Sequence, residues 1–284
     1  METDIFKEKA YAKVNLTLDV LNKRQDGYHE LEGIMQAISL ADEVEIRPSN
    51  RIAVFFDAPV PENNTCKKAA ELFLAGSGLG AEIRVKKRIP SEAGLGGASA
   101  DAAAVLRALN RMCAGTRLER SENELLKLGL KVGADVPFCL TGGCAVARGV
   151  GEKLSPVRGM ELHLLLVRGK RGVSTGKLFS SLGVGSERTS RLPAGNLENA
   201  LSAIEKKDAA LLAAHLANAL TPAAETMAPE IGEYVSRMKA LGALGASMTG
   251  SGAAVFGIFP DENSAKRAYE GFADCDFRTV CRTK

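Results

Sequence analysis

The sequence predicts an α+β protein, and three observations carry that expectation. Short runs with period-two apolar residues mark strands, and alanine-rich runs with helical spacing mark helices. The two alternate only loosely, without the regular strand–helix–strand rhythm of a doubly wound sheet. At 284 residues the chain can form one large domain or two smaller ones, each with a proper core.

The elements follow in order. Val14, Leu16, Leu18 and Val20 alternate with Lys13, Asn15, Thr17 and Asp19, the period of a half-buried strand, and Asp26-Gly27 supplies a turn after it. Val44/Ile46, Ile52/Val54/Phe56 and Ile83/Val85 suggest further strands. A helix is expected over Asn64–Leu74, where Cys66, Ala69, Ala70, Phe73 and Leu74 share a face. Others are expected over Ser99–Asn110 and Ser121–Leu130, the latter opening with the capping box Ser121-x-x-Glu124. Arg168–Gly195 is rich in Gly, Ser, Lys and Arg and predicts a long connection. Asn196–Ala219 and Pro222–Leu241 predict alanine-rich helices. A strand over Ala253–Phe259, a helix over Asn263–Phe272 and a strand near Phe277–Cys281 complete the chain.

Bulk properties exclude several functions. Hydrophobic residues make up 45% and charged residues 25%, ordinary for a globular chain. A net charge of +3 with 5% aromatic residues gives no basic, stacking surface, so no nucleic-acid partner is expected. The six cysteines (66, 113, 139, 144, 275 and 281) lack Cys-x-x-Cys spacing, and the three histidines (29, 163 and 215) lie far apart, against a zinc site. Free thiols and a reducing compartment are expected. The first residues carry no apolar signal segment, and runs such as Leu162–Val167 are far too short to span a bilayer, so a cytoplasmic protein with no membrane partner is expected.

Four segments can carry chemistry. In Pro90-Ser-Glu-Ala-Gly94-Leu95-Gly96-Gly97-Ala98-Ser99 a strand-like run ends, a glycine-rich turn follows and a helix begins. The unpaired N–H groups and dipole of a helix start attract anions, and glycines allow close approach, so the segment suits a phosphate. An ordinary strand-to-helix turn fits it as well. It lacks the Gly-Lys-Ser/Thr of a Walker A loop and does not fit the dinucleotide pattern. The adjacent Lys86-Lys87-Arg88 either attracts phosphate or is a solvated strand end. Lys13 and Asn15 lie on the polar side of the first strand, where solvated side chains are the ordinary case. Asp135, in Gly133-Ala-Asp-Val-Pro137-Phe138, suits a cap or turn as well as a catalytic acid. Met248-Thr249-Gly250-Ser251-Gly252-Ala253 offers a strand corner or a second backbone approach to a ligand.

Together these segments resemble the GHMP kinases, whose members share a lysine-bearing N-terminal strand, a Pro-x-x-x-Gly-Leu-Gly phosphate loop and a C-terminal Gly-Ser-Gly-Ala loop. Three more segments are similar to one branch of the family: Ala12-Lys13-Val14-Asn15-Leu16, Asp26-Gly27-Tyr28-His29-Glu30-Leu31, and Met35-Gln36-x-Ile38-x-Leu40-x-Asp42. So is Gly133–Phe138. The resemblance spans roughly residues 8 to 282, and Asp26–Leu31 is its most specific part.

The resemblance implies a two-domain GHMP kinase fold, with an N-terminal ATP-binding domain over 1–158 resembling ribosomal protein S5 domain 2. A C-terminal domain would cover 159–284, and a cleft between the two would hold both substrates. It implies ATP-dependent phosphorylation of the 2-hydroxyl of 4-diphosphocytidyl-2-C-methyl-D-erythritol, with ATP and Mg²⁺ required, by a monomer or weak homodimer. Asp135 would be the general base and Lys13 its charge partner. The ATP phosphates would lie on Gly94, Leu95, Gly96, Gly97, Ala98 and Ser99 after Pro90, with Asn64 near the nucleoside. Tyr28 and His29 would form the cytidine pocket, with Thr175 and Phe179 as its second wall. Asn15 would contact the methylerythritol part, and Gly250, Ser251 and Gly252 would close the substrate side. Where the family loop commonly reads Gly-Gly-Gly-Ser-Ser, this chain has Gly96-Gly97-Ala98-Ser99-Ala100, which leaves Ser99 as the hydroxyl for phosphate or Mg²⁺. Another GHMP small-molecule kinase, or a non-catalytic nucleotide sensor of the same fold, is the competing reading. Tyr28-His29 weighs against the first, and Lys13 with Asp135 against the second.

Overall fold

The computed structural model describes residues 5–59, 64–182 and 196–284. Its elements in chain order are β1 (Phe6–Lys23), β2 (His29–Ser49), β3 (Ala53–Phe56), α1 (Thr65–Phe73), β4 (Gly80–Lys86), α2 (Gly97–Met112), α3 (Glu122–Val132) and α4 (Val136–Thr141). There follow β5 (Cys144–Gly149), β6 (Lys153–Val157), β7 (His163–Arg168), α5 (Thr175–Ser181), α6 (Asn196–Lys206), α7 (Ala209–Ala214) and β8 (Ala217–Asn218). Last come α8 (Thr221–Met227), α9 (Glu230–Ala240), β9 (Gly245–Met248), β10 (Val255–Phe259), α10 (Glu262–Glu270) and β11 (Phe277–Arg282). The expected α+β mixture is what forms.

Two compact units are drawn from interleaved segments. The first takes Met1–Ala12, Leu40–Ile89 and Gly96–Gly142. Here β3 runs parallel to β4, and β4 pairs antiparallel with the later half of β2, from Glu43↔Lys86 to Ser49↔Gly80. The helices α1 to α4 pack on one another, with α2 touching the other three. Alanines 100, 102, 103, 104 and 108 of α2 are all buried, which lets neighbouring helices approach closely.

The second unit takes Lys13–Ser39, Pro90–Leu95 and Gly143–Lys284. The early half of β2 pairs antiparallel with β5, from Leu31↔Gly149 to Gln36↔Cys144, and β5 pairs with β6. The short β8 lies parallel to β1 through Thr17↔Ala217 and Leu18↔Asn218. A separate antiparallel sheet has the order β11-β7-β10-β9. α9 and α10 pack against it, over a core that includes Leu165, Val167, Val255, Phe259, Met238 and Phe272.

Several expected elements differ in detail. The helix expected over Asn196–Ala219 is two, α6 and α7. At the break Lys207 is left-handed (φ 55), with its N–H on the Ile204 carbonyl and that of Asp208 on the Ala203 carbonyl, a Schellman stop without glycine. Asp208 then caps α7 by accepting the Leu211 N–H. The helix expected over Pro222–Leu241 is also two, because Pro229 disfavours a helical Ala228, whose backbone sits at φ -140, ψ 81. The connection expected over Arg168–Gly195 contains α5, anchored by the buried Leu178; residues 183–195 lie outside the described ones. The first strand is buried on both faces over Ala12–Leu18, because Lys13, Asn15 and Thr17 are as buried as Val14 and Leu16.

Candidate active site

In the first unit the glycine turn becomes a helix start. Gly96, left-handed at φ 70 and ψ 22, precedes the first helical residue of α2, Gly97, and the Ala100 N–H closes the first helical bond onto the Gly96 carbonyl. The helix leaves its earliest N–H groups unpaired by its own ladder. A Cβ on Gly97 would lie 3.0 Å from Ile89 Cγ2, so the site has little room for a side chain. Ala98 is exposed and Ser99 half-buried, with Ser99 Oγ 3.8 Å from where a Cβ on Gly133 would sit. The same unit thus brings Ser99 beside the turn that leads to Asp135. Asp135 occupies the N-cap of α4, yet its side chain does not cap the helix. The next residues, Val136 and Pro137, open the six-residue α4. Thr65 Oγ1 donates to the Ala98 carbonyl at 2.7 Å, tying α1 to the loop. Asn64 caps α1 by accepting the Lys67 N–H at 2.9 Å.

Of the basic run before the loop, Lys87 points inward. Its ammonium is shared by two buried carboxylates, Asp42 and Asp101, the latter at 2.6 Å. Asp42 also accepts the N–H groups of Arg88 and Ile89. Lys87 is therefore an internal counter-charge, and neither sequence reading of it, a phosphate contact or a solvated strand end, describes what it does. Burial, with Asp42 acting the same way and Lys87 opposing, holds the Asp101 carboxyl well above the usual carboxylate range.

In the second unit Lys13 and Asn15 are 4% and 2% exposed, which corrects the solvated reading. Lys13 Nζ donates to Asn15 Oδ1 at 2.7 Å, so the amide orients the ammonium. Gly94 and Gly250 pack face to face: a Cβ on Gly94 would collide with the Thr249 carbonyl, and one on Gly250 with the Gly94 carbonyl. The Gly250–Gly252 loop and the first part of the earlier glycine loop, at Gly94, are therefore in contact. Thr175 Oγ1 and Ser251 Oγ are 2.7 Å apart.

The Asp26-Gly27 turn presents the next pair. Gly27 is left-handed (φ 88), and Asp26 Oδ1 accepts the Tyr28 N–H at 3.2 Å. A hydrogen bond from Arg24 holds the Asp26 carboxyl below its ordinary value. Tyr28 stands 64% exposed, a ring without cover. His29 lies 5.0 Å, centroid to centroid, from Phe179. Burial, helped by Lys23, lowers the His29 pKa, so near neutral pH the imidazole is uncharged, with one donor and one acceptor.

Sequence reasoning missed Asp42 and Asp101 as a pair, Thr65, Asn218 and the hydroxyl of Thr249. Asp101 left a signal, an acid inside an alanine run; Asn218 left none. Among the described residues no group of three or more His, Cys, Asp and Glu side chains could hold a metal ion, and no helix is long and apolar enough to cross a membrane.

Known proteins similar to this chain identify its family. The family GHMP kinases N terminal domain matches residues 64–143, and GHMP kinases C terminal matches residues 200–275. The chain is 43% identical over 278 residues to a 4-diphosphocytidyl-2-C-methyl-D-erythritol kinase of Acetivibrio thermocellus, covering 95% of each chain. It is 45% identical over 266 residues to one from Pelotomaculum thermopropionicum, covering 91% of this chain and 90% of that one. A crystal structure of 4-(cytidine 5'-diphospho)-2C-methyl-D-erythritol kinase superposes with a TM-score of 0.81 at 35% identity, covering 98% of both chains. A homoserine kinase from Cytophaga hutchinsonii, with a TM-score of 0.76 at 20% identity, shares the fold. With a lysine strand, two glycine loops and both family domains accounted for, the chain belongs to the 4-diphosphocytidyl-2-C-methyl-D-erythritol kinase family of the GHMP kinases.

Proposed function

We propose that this chain transfers the γ-phosphoryl group of ATP to the 2-hydroxyl of 4-diphosphocytidyl-2-C-methyl-D-erythritol, giving the 2-phosphate and ADP in non-mevalonate isoprenoid precursor synthesis. The observation that carries the reading is the buried Lys13–Asn15 pair on a strand bonded to both glycine loops. A buried ammonium held by an amide suits the charge that develops on a transferring phosphoryl group.

Each residue has a task. Asp135 accepts the proton of the attacking alcohol, or orients it. A carboxylate with an intrinsic pKa near ~4 is too weak a base to ionise an alcohol beforehand, so the proton moves late and positioning supplies most of the rate. Lys13 offsets charge on the moving group, and Asn15 meets the methylerythritol part. The N–H groups from Gly94 to Ser99 cradle the phosphates after Pro90, with Asn64 near the nucleoside through the amide nitrogen left over from capping. Tyr28, His29, Phe179 and Thr175 enclose the cytosine, while Gly250, Ser251 and Gly252 close the substrate side. Magnesium carried on the nucleotide needs only one or two protein oxygens, which fits the stretch Gly94–Ser99 with its one hydroxyl, Ser99, and the lack of a metal-holding acidic cluster among the described residues. Bound there, the ion would neutralise phosphate charge. We further propose a cytoplasmic monomer or weak homodimer that binds no nucleic acid.

The test is ADP release with Mg-ATP and either 4-diphosphocytidyl-2-C-methyl-D-erythritol or mevalonate. Turnover is expected with the cytidine compound alone, and Asp135→Asn is expected to lower kcat by about 10²-fold or more with ATP binding kept. Turnover of mevalonate, or ATP binding with no turnover of either alcohol, would replace this reading by that of a related kinase or a sensor.

A further inference from the structure

We propose that Thr249 is a positioning residue for phosphoryl transfer, its hydroxyl fixing the strand that carries Lys13 and Asn15 at a set distance from the two glycine loops. The proposal rests on the reading of Lys13 and the loops given above.

Two successive outward bonds leave this stretch of β1. The Lys13 N–H donates to the Leu95 carbonyl of the first glycine loop at 3.0 Å. The Asn15 N–H donates to Thr249 Oγ1, at the mouth of the second, at 2.9 Å. The loops are also bonded to each other, Ala253 N–H to the Glu92 carbonyl and Ala254 N–H to the Ala93 carbonyl, each at 3.2 Å. Thr249 Oγ1 in turn faces the Gly94 carbonyl at 3.4 Å, so one hydroxyl meets the strand and both loops. Thr249 is fully buried, which keeps water from replacing either contact.

Asn218 braces the same loop from β8. Its Nδ2 donates to the Met248 carbonyl at 3.0 Å and to the Gly250 carbonyl at 2.9 Å, while its Oδ1 accepts the Leu220 N–H at 2.9 Å. The bonds from Lys13, Ala253 and Ala254 run backbone to backbone and survive any side-chain replacement. Thr249 and Asn218 contribute side chains, so they can be altered while the backbone ties keep the unit folded. Thr249→Val keeps the shape and leaves the Asn15 N–H and Gly94 carbonyl without their shared hydroxyl. The strand must then shift to satisfy them, and it carries the ammonium with it.

The expected result for Thr249→Val is a kcat loss of about 100-fold, the scale set by a misplacement of about 1 Å, with the KM for ATP changed less than about threefold. Thr249→Ser, which keeps the hydroxyl, should return kcat to within about fivefold of the parent. The deciding readout is a double-mutant cycle with Lys13→Met. Once no ammonium is left to place, Thr249→Val should cost less than about threefold further. An equal loss in both backgrounds, or a Thr249→Val enzyme with kcat intact, overturns the proposal. A Lys13→Met enzyme with kcat intact overturns the reading of Lys13 and this proposal with it. If Thr249→Val fails to fold by circular dichroism, Asn218→Ser goes through the same cycle against the same outcomes.

Discussion

Asp101 shows what one buried carboxyl does to a small protein's response to pH. One of its oxygens takes Lys87, and the other has no hydrogen-bond donor among the described residues. Its pKa is raised, first by burial, so the folded state binds a proton there more readily than the unfolded chain does. Stability from this group is present at low pH and drains away as pH rises through its folded value. Asp101→Asn keeps the shape and removes the titration. Relative to the parent, that variant should gain on the order of 1–2 kcal/mol between about pH 5 and about pH 8, read by urea unfolding at both. A constant difference would show that the carboxyl does not titrate in that window. None of this was legible from residues alone, because the three charges lie on β2, the end of β4 and α2, and only folding brings them together. Lys13 and Asn15 misled for a similar reason. Their period-two pattern is true of the strand, but both side chains are buried in the fold, and the strand's backbone edge is bonded to Leu95 and Thr249, which lie far away in sequence.

Elements with local signals were the legible ones. The helix expected at Ser121 starts there because Ser121 and Glu124 cap it reciprocally. The glycine turn before α2 was recognisable from its spacing and from the alanines that follow. Breaks written without glycine were not. Lys207 ends α6 in a conformation that costs an ordinary side chain about 1–2 kcal/mol. Lys207→Gly should therefore stabilise the protein by ~1 kcal/mol in urea unfolding, since the exposed lysine leaves only a solvated side chain behind. A neutral or destabilising outcome would mean that the Schellman stop is formed by Asp208 capping α7 rather than by the turn itself. The break at Pro229 had a signal, a proline inside an alanine-rich run, and helical spacing on both sides concealed it.

For the molecule as a whole, fold and substrate are separate matters. A homoserine kinase shares the architecture at 20% identity, so discrimination must come from particular side chains. Tyr28, His29 and Phe179 are the aromatic groups we propose for it, and Tyr28→Ala should weaken the cytidine substrate at least about tenfold while leaving ATP nearly unchanged. Calorimetric titration of each ligand checks this, and equal weakening of both would remove Tyr28 from the cytidine site. The interleaving of the two units has a further consequence, in time rather than space. During synthesis the segment Lys13–Ser39 emerges early, but β5 follows only after Gly143, and Ile38 meets its bridge partner Thr283 later still. At ribosomal speeds of about 5–20 residues per second, an apolar strand waits roughly ten to fifty seconds for its last neighbour. That delay makes the early strands of this enzyme the segment on which chaperone demand and low-temperature expression should act.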